Sequence, residues 1–303
     1  MSGPAELPAV SVVVAALGDE DALRDCLASL AAVDYPPASL EVLLVDTRAR
    51  DGTPAIACPF PVRALAEPRR GVCVARNTGI AAASGEIVAF TDPDCVVTTG
   101  WLREIAAAFA DPGVGAVAGA IVPYPPRTLA ELYAARRMSH SQLRPLAHAS
   151  ARYAMTPNLT VRRDALERIG AFDVAMPGGG FEDADLCWRL ERETGLELRY
   201  APRAVVLHRY RSTPRDFLVQ HHRYGRGLAL LRRKYPSRLP WGAGERARAY
   251  GGLAGAAARV AVTAARRAGR EQLGLAGYDL LRHVGQRSGF LRGSLERPRG
   301  ARA

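Results

Sequence analysis

Val10-Ser-Val-Val-Val-Ala-Ala16 is a continuous apolar run rich in β-branched residues. A strand that is apolar on both faces belongs inside a parallel sheet covered on both sides. The polar break Gly18-Asp-Glu-Asp21 follows, and then Leu23, Cys26, Leu27 and Leu30 recur at helical spacing. Glu41 to Val45 is a second apolar run, ending at Asp46. Strand, helix and strand joined by short breaks predict a βαβ unit and an α/β fold on a parallel sheet. Glu86 to Thr91 predicts a third strand with Asp92 at its carboxyl end. Ligands bind at the carboxyl ends of strands in open α/β sheets, so Asp46 and Asp92 stand on the functional edge.

Further along, the pattern predicts helices over Val72–Ala83, Trp101–Ala110, Thr128–Met138, Arg163–Ile169 and Asp183–Glu193. Strands are expected over Gly115–Val122, Asn158–Val161, Leu196–Tyr200 and Ala204–His208. Ala55 to Leu65 is broken by prolines and predicts no element, and Gly178-Gly-Gly180 reads as a flexible hinge. From Pro214 onward the chain is helical, basic and Ala-rich. Gly251 to Ala265, the most apolar late stretch, contains Arg259 and is shorter than the roughly 20 residues a membrane span needs. It reads as a surface amphipathic helix or one packed on a partner.

With 303 residues, 48% of them hydrophobic, the chain can build one large α/β domain, or one domain plus an appendage. Cys26, Cys58, Cys73, Cys95 and Cys187 form no CxxC pair, which reads as reduced thiols in a cytosolic protein. Met1 to Pro8 lacks the basic segment of a signal peptide, so a cytoplasmic protein is expected. Residues 1–200 hold 19 Lys+Arg and 25 Asp+Glu, whereas residues 201–303 hold 22 and 5. Such asymmetry suggests an anionic partner for the C-terminal third, membrane lipid or nucleic acid. That third does not interleave aromatics with its cations as single-strand binders do. Lipid is therefore preferred, and with it a peripheral place on the inner face of the membrane.

Three groups of residues carry chemistry. Asp92-x-Asp94 after a strand, taken alone, is equally well read as a helix cap or a turn. It is otherwise a place for a divalent cation that bridges carboxylate and diphosphate. Asp94 is the better direct ligand, with Asp92 nearer a nucleotide sugar. Glu182-Asp-Ala-Asp185 opens a helix after glycines, where one acid is explained by capping and three are not. A hydroxyl acceptor needs a base to take its proton. Asp183 is chosen for that role, Glu182 to orient the acceptor or the loop, and Asp185 for structure. His208 closes a strand, where a lone histidine is usually structural, but the two acidic groups before it favour a metal ligand. Arg76, on a helix that starts after Gly71, could reach a phosphate.

In this order the pieces resemble the family-2 glycosyltransferases. They are Val10-Ser-Val-Val-Val, Leu43-Leu-Val-Asp46, Asp51-Gly-Thr53, Ala75-Arg-Asn-Thr-Gly79, Ala89-Phe-Thr-Asp-Pro-Asp94, Asn158-Leu-Thr-Val-Arg162, Gly170-Ala-Phe-Asp173, Glu182-Asp-Ala-Asp-Leu-Cys-Trp-Arg-Leu190 and His208. The resemblance spans roughly residues 9–235. It implies the GT-A fold, a Rossmann-like, mostly parallel mixed sheet flanked by helices, here with a basic helical C-terminal extension. It implies a nucleotide pocket at Ala15, Ala16 and Asp46, and Arg76 near nucleotide and phosphate. It implies Asp92 and Asp94 as the metal motif for Mg2+ or Mn2+, Asp183 as base, and His208 as a further metal or phosphate contact. Two features depart from the family. Ala15-Ala16-Leu17-Gly18 replaces a Thr-Tyr-Asn-like segment, and Thr47 replaces an acid. Gln220-His-His-Arg223-Tyr224 is a loose form of the Gln-x-x-Arg-Trp motif of processive members, with Tyr for Trp.

The expected protein is thus an inverting, metal-dependent glycosyltransferase. Its donor is a nucleotide-diphosphate sugar, and its acceptor a hydroxyl of a cell-envelope or lipid-linked glycan or of a small molecule. The expected limits are a flexible start over 1–8, a GT-A domain over 9–212 and a basic helical region over 213–303. Acceptor specificity is expected from the Pro123–Met155 segment. The competing reading is a catalytically silent nucleotide-sugar-binding or membrane-docking scaffold, against which the intact acidic set argues. A dinucleotide-binding enzyme is disfavoured because no G-x-G-x-x-G follows the first strand.

Overall fold

The computed structural model describes residues 7–16, 19–47, 57, 59–148, 151–176 and 178–296. Residues 1–6 of the expected flexible start over 1–8, Leu17-Gly18, and the Asp51-Gly-Thr53 piece lie outside them. The strands are β1 (Val10–Ala16), β2 (Leu40–Asp46), β3 (Arg63–Ala66), β4 (Ile87–Thr91), β5 (Cys95–Val97), β6 (Val114–Pro123), β7 (Leu159–Arg162) and β8 (Glu197–His208). The helices are α1 (Glu20–Ala31), α2 (Val72–Ala82), α3 (Trp101–Ala108), α4 (Leu129–Arg136), α5 (Leu143–Leu146), α6 (Arg163–Ile169), α7 (Glu182–Thr194), α8 (Pro214–Lys234), α9 (Ala243–Ala265) and α10 (Arg270–Leu295).

Two compact units result. The first comprises Met1–Tyr124, His140–Val174 and Asp183–His208; the second comprises Pro125–Ser139, Ala175–Glu182 and Arg209–Ala303. Compactness therefore divides the chain differently from the expected limits of 9–212 and 213–303. The reason lies in α4, which packs in the second unit: the Tyr133 hydroxyl donates to Asp279 at 2.6 Å.

The first unit is built on one eight-stranded sheet in the order β3-β2-β1-β4-β7-β6-β8-β5. Strands β1 to β4 run parallel, β7 is antiparallel to both its neighbours, and β5 is antiparallel to β8. Every residue of β1 is buried, as its two-faced apolar pattern requires. Helix α1 starts because Asp19 caps it, accepting from the Asp21 and Ala22 amides. It buries Leu23, Cys26, Leu27 and Leu30, the residues whose spacing announced it. Helix α2 packs close to β1, since a Cβ on Gly79 would come within 2.4 Å of Val13. Strands β3 and β5 are new relative to the sequence reading; each is short, and β3 is largely exposed.

The two strands expected over 196–208 are one, β8, with an irregularity. Its register against β6 jumps from Gly119–Ala201 to Ala120–Val205, so residues 202–204 bulge. Asn158 fills the gap. Its amide donates to the Ala120 and Ala204 carbonyls at 2.8 and 2.9 Å and accepts from Trp101 Nε1 at 2.8 Å. Gly119 is needed there, because a Cβ would lie 2.3 Å from the Asn158 amide nitrogen.

In the second unit α8 and α10 touch through glycines. A Cβ on Gly289 would sit 1.8 Å from the His222 carbonyl, and one on Gly225 would sit 2.0 Å from that of Gln286. Helix α9 contains the apolar stretch and is mostly at the surface, with Ala256 its buried residue. Among the described residues no helix is long and apolar enough to cross a membrane. Overpacking predicts that Gly289→Ala lowers stability by about 2 kcal/mol. Gly251→Ala, on a helix face with nothing within 4 Å, should raise it by about 0.5–1 kcal/mol. Urea melts of both variants check this; an unchanged Gly289→Ala midpoint would contradict the close packing.

Candidate active site

The carboxyl ends of the parallel strands assemble most of the expected residues. Register places Ala15 beside Val45 and Ala16 beside Asp46. Val14 pairs with Thr91, so Asp92 follows on the same edge. Ala15, Ala16 and Asp46 are buried there. Two buried hydroxyls on this edge, Thr47 and Thr91, have no hydrogen-bond partner among the described residues. Both oxygens are enclosed by the surrounding protein.

Asp92 and Asp94 flank a turn closed by the Cys95 amide donating to the Asp92 carbonyl at 3.0 Å. Proline at the second position presets such a turn. It sends the two carboxylates to different partners. Asp92 accepts from the Arg76 guanidinium at 3.0 Å, and Arg76 is itself buried over the Phe172 ring. Asp94 lies 3.6 Å from His208 Nε2. The cause is register: β5 runs antiparallel to β8 with Cys95 opposite His208. The His208 ring stacks on that of His140, with centroids 4.3 Å apart. No sequence pattern marks His140; it is adjacent only through the fold.

Asp94, Cys95 and His208 each offer a donor atom, all within 4.8 Å of one another. A carboxylate oxygen and an imidazole nitrogen suit Mn2+, and the carboxylate suits Mg2+. Cys95 fits less well as a thiolate ligand. Burial first, and then the Asp94 and Asp92 carboxylates, push its thiol well above the usual range. The residues present therefore fit a divalent ion held by Asp94 and His208. The four described cysteines, Cys26, Cys73, Cys95 and Cys187, are buried and form no disulfide with one another.

Helix α2 ties this edge together. Thr78 Oγ1 donates to Glu67 at 2.6 Å, and Asn77 grips the Phe172 backbone through both its amide groups, at 2.8 and 2.9 Å. Glu67 was not among the expected residues because β3, which it follows, carries no clear pattern. Its amide donates to the Asp46 carbonyl at 2.8 Å, next to the expected nucleotide residue.

The three acids of α7 separate cleanly. In the second unit Glu182 is buried and accepts from the Gly179 and Gly180 amides at 3.1 and 2.7 Å. Its carboxylate shapes the glycine loop. That loop, read as a hinge, is held by these bonds and by contact with α8: a Cβ on Gly180 would lie 2.8 Å from the Arg223 carbonyl. In the first unit Asp185 is fully buried and pairs with Arg189 at 2.9 Å. Arg189 in turn caps the end of α6 through the Ile169 and Ala171 carbonyls, both at 2.6 Å. Asp183 alone of the three keeps partial exposure, and one of its oxygens accepts from the Ala184 amide at 2.9 Å.

A family model described as "Glycosyl transferase family 2" matches residues 11–170, more than half of the chain. The chain belongs to glycosyl transferase family 2. Among the relatives of this family-2 chain is the pre-mycofactocin glycosyltransferase of Mycobacterium tuberculosis, 32% identical over 253 residues, 78% of this chain and 50% of the relative. The glycosyltransferase AglE of Haloferax volcanii is 31% identical over 230 residues, 73% of each chain. The chain spans about half the length of the mycobacterial relative it matches. The mannosyltransferase PcManGT of Pyrobaculum calidifontis, solved with GDP-Man and Mn2+, shares its fold, with a TM-score of 0.62, 23% identity, and coverage of 95% of this chain and 88% of that one. The fold of this family-2 chain is the GT-A fold. The family match ends before Asp183 and His208, so their roles rest on the residues themselves.

Hydrogen bonds from Arg69, then Thr78, hold the Glu67 carboxyl down to about 2. A carboxylate lowered by folding stabilises above its unfolded pKa of about 4.3, and that stability fades as pH falls towards 2. Glu67→Gln should therefore melt below wild type at pH 7, with the gap closing between about pH 4 and pH 2. A gap independent of pH in a melting series would contradict the ionised, hydrogen-bonded Glu67.

Proposed function

We propose that this chain transfers a sugar, with inversion, from a nucleotide-diphosphate donor to an acceptor hydroxyl. The observation that carries the reading is the convergence on one sheet edge of the Asp94–His208 pair, at 3.6 Å, and the Arg76–Asp92 pair, at 3.0 Å. A cation site beside an arginine-held carboxylate suits a diphosphate and the sugar attached to it.

Ala15, Ala16 and Asp46 receive the nucleoside; the small side chains leave room and Asp46 accepts from the base. Arg76 fixes Asp92, so that carboxylate is pre-set towards the donor. Asp94 and His208 hold a divalent ion, Mg2+ or Mn2+. When bound, the ion neutralises the diphosphate and makes it a better leaving group. Asp183 takes the proton of the acceptor hydroxyl. The acceptor oxygen bonds to the anomeric carbon from the face opposite the diphosphate, whose bond to that carbon breaks. The nucleoside diphosphate leaves, and the configuration inverts because there is one displacement. Glu182 keeps the glycine loop ahead of Asp183 in shape.

The donor is a hexose or deoxyhexose nucleotide; GDP-Man with Mn2+ in the related fold supports that class. The acceptor is a cell-envelope or lipid-linked glycan or a small molecule, with the Pro123–Met155 segment shaping its pocket. The 22 cations against 5 acids in residues 201–303 support peripheral attachment to an anionic membrane surface, with the catalytic unit facing the cytoplasm.

Asp183→Asn should lower turnover by roughly 10²–10⁴-fold while donor affinity, read by calorimetry, stays within twofold. Normal turnover of that variant would remove Asp183 from the mechanism. Asp94→Ala and His208→Ala should each lose the Mn2+-dependent part of donor affinity. Donor affinity unchanged by chelation in the wild type would refute the cation site.

A further inference from the structure

His208 ends β8, and its backbone is fixed from both sides. It stands opposite Cys95 of β5 and Pro123 of β6, and its carbonyl accepts from the Tyr124 amide at 2.9 Å. Its side-chain torsions are left to be set by other groups. Asp94 approaches one ring nitrogen, Nε2, at 3.6 Å. The second torsion of a histidine joins an sp3 to an sp2 carbon, and such torsions are broad instead of confined to staggered wells. The lone pair of a ring nitrogen lies in the ring plane, so turning the ring swings it away from an ion beside Asp94. A second ring lies against the face of the first. His140 and His208 have centroids 4.3 Å apart and planes 23° apart, and both are buried. At that separation the rings are in van der Waals contact. His208 cannot turn far about its second torsion without driving an edge into the face of His140.

The chain that carries His140 is itself tied down two residues later. Gln142 is buried, and its side-chain nitrogen donates to the Met155 and Asn158 carbonyls at 3.0 and 3.2 Å. Its side-chain oxygen accepts from the Met155 amide at 2.8 Å. One buried amide thus clamps the backbone of residues 155–158 in both directions. Asn158 is also the residue whose side chain bridges Ala120 of β6 and Ala204 of β8. His140 and the strand that ends in His208 are therefore anchored to the same residue. An aliphatic side chain at 140 would fill the same space at a lower desolvation cost. What the imidazole adds is a flat face.

We propose that His140 is a positioning residue: by stacking, it fixes the plane of the His208 ring and keeps Nε2 aimed at a divalent ion held with Asp94. The inference rests on the cation site proposed above and adds the device that holds its nitrogen ligand in place. Ligating histidines are ordinarily oriented by an outer group, and losing that group costs about 10–100-fold in metal affinity. His140 is that outer group here, acting through the ring face. It belongs to the Pro123–Met155 segment, so a stretch proposed to shape the acceptor pocket also sets the cation end of the donor site.

The test uses the full chain with carbon-13 at the histidine Cε1 positions, the His208 signal being assigned from His208→Gln. In EDTA, relaxation of that signal should show a ring as ordered as rigid backbone, with an order parameter of about 0.85. His140→Ala should lower the order, and His140→Phe, which keeps a flat face, should restore it. Mn2+ alone is then titrated and the free ion followed by electron paramagnetic resonance. His140→Ala should weaken Mn2+ affinity by about tenfold or more. His140→Phe should bind close to wild type. His140→Leu, which fills the space without a flat face, should behave like the Ala variant, and it replaces that variant should the latter not fold. A Leu variant equal to wild type in ring order and Mn2+ affinity would reduce His140 to packing and overturn the proposal. Unchanged Mn2+ affinity in His140→Ala would overturn it too. A wild type that takes up no Mn2+ refutes the cation site. A looser His208 ring in His140→Ala would then still support the positioning role, and an equally ordered ring would overturn it.

Discussion

The pairing of β5 with β8 is the contact on which the candidate site depends. It spans three residues of β5, yet it sets Cys95 opposite His208 and so brings Asp94 and His208 together from positions more than a hundred residues apart. Its stability comes from its neighbours. Thr98 extends the pairing by donating to the Val205 carbonyl, and Asn158 satisfies the carbonyl that the β8 bulge exposes. Trp101, fully buried, fixes Asn158 in turn. A buried amide that answers three groups at once orders a region more firmly than a single hydrogen bond would. The Asp94–His208 pair is therefore supported by a buried polar network outside the pair itself.

Helix α2 supplies the second constraint. In Ala75-Arg-Asn-Thr-Gly79 each residue makes a different contact. Ala75 is buried, Arg76 holds Asp92, Asn77 clamps Phe172, Thr78 anchors Glu67, and Gly79 lets the helix approach β1. The motif looks like a binding signature but works mainly as a brace. It connects the end of β3, the end of β4 and the segment after α6, so this edge of the sheet keeps one geometry. The acids of α7 are divided in the same spirit. Glu182 and Asp185 are consumed by backbone amides and by Arg189, which leaves Asp183 as the acid of that cluster with access to solvent.

In the second unit a similar division appears in charge. Close glycine contacts bring α8 and α10 together, and the few acids pin individual arginines. The remaining cations outnumber them. Most lie in solvent, where an unpaired arginine costs little. Arg287 differs: its Nε and Nη1 are buried, and its guanidinium lies 5.8 and 5.7 Å from the Trp241 and Phe290 ring centroids.

Much of this was legible in the residues alone. The parallel strands β1, β2 and β4 were readable because burial on both faces demands an unbroken apolar run. Helices α1, α2 and α6 were readable from spacing and stop residues. The order of acidic and basic motifs was enough to point to the family. Other features were closed to sequence reasoning for identifiable reasons. Strands β3 and β5 are too short to carry a period, and β8 hides its continuity behind a proline bulge. Glu67 and His140 lack any local mark. The residues determined which strands line the edge and which side chains stand there. Only the tertiary structure decided that Asp94 meets His208 while Asp92 meets Arg76, because register between distant strands is set by packing and hydrogen bonding across the sheet, which no local pattern encodes.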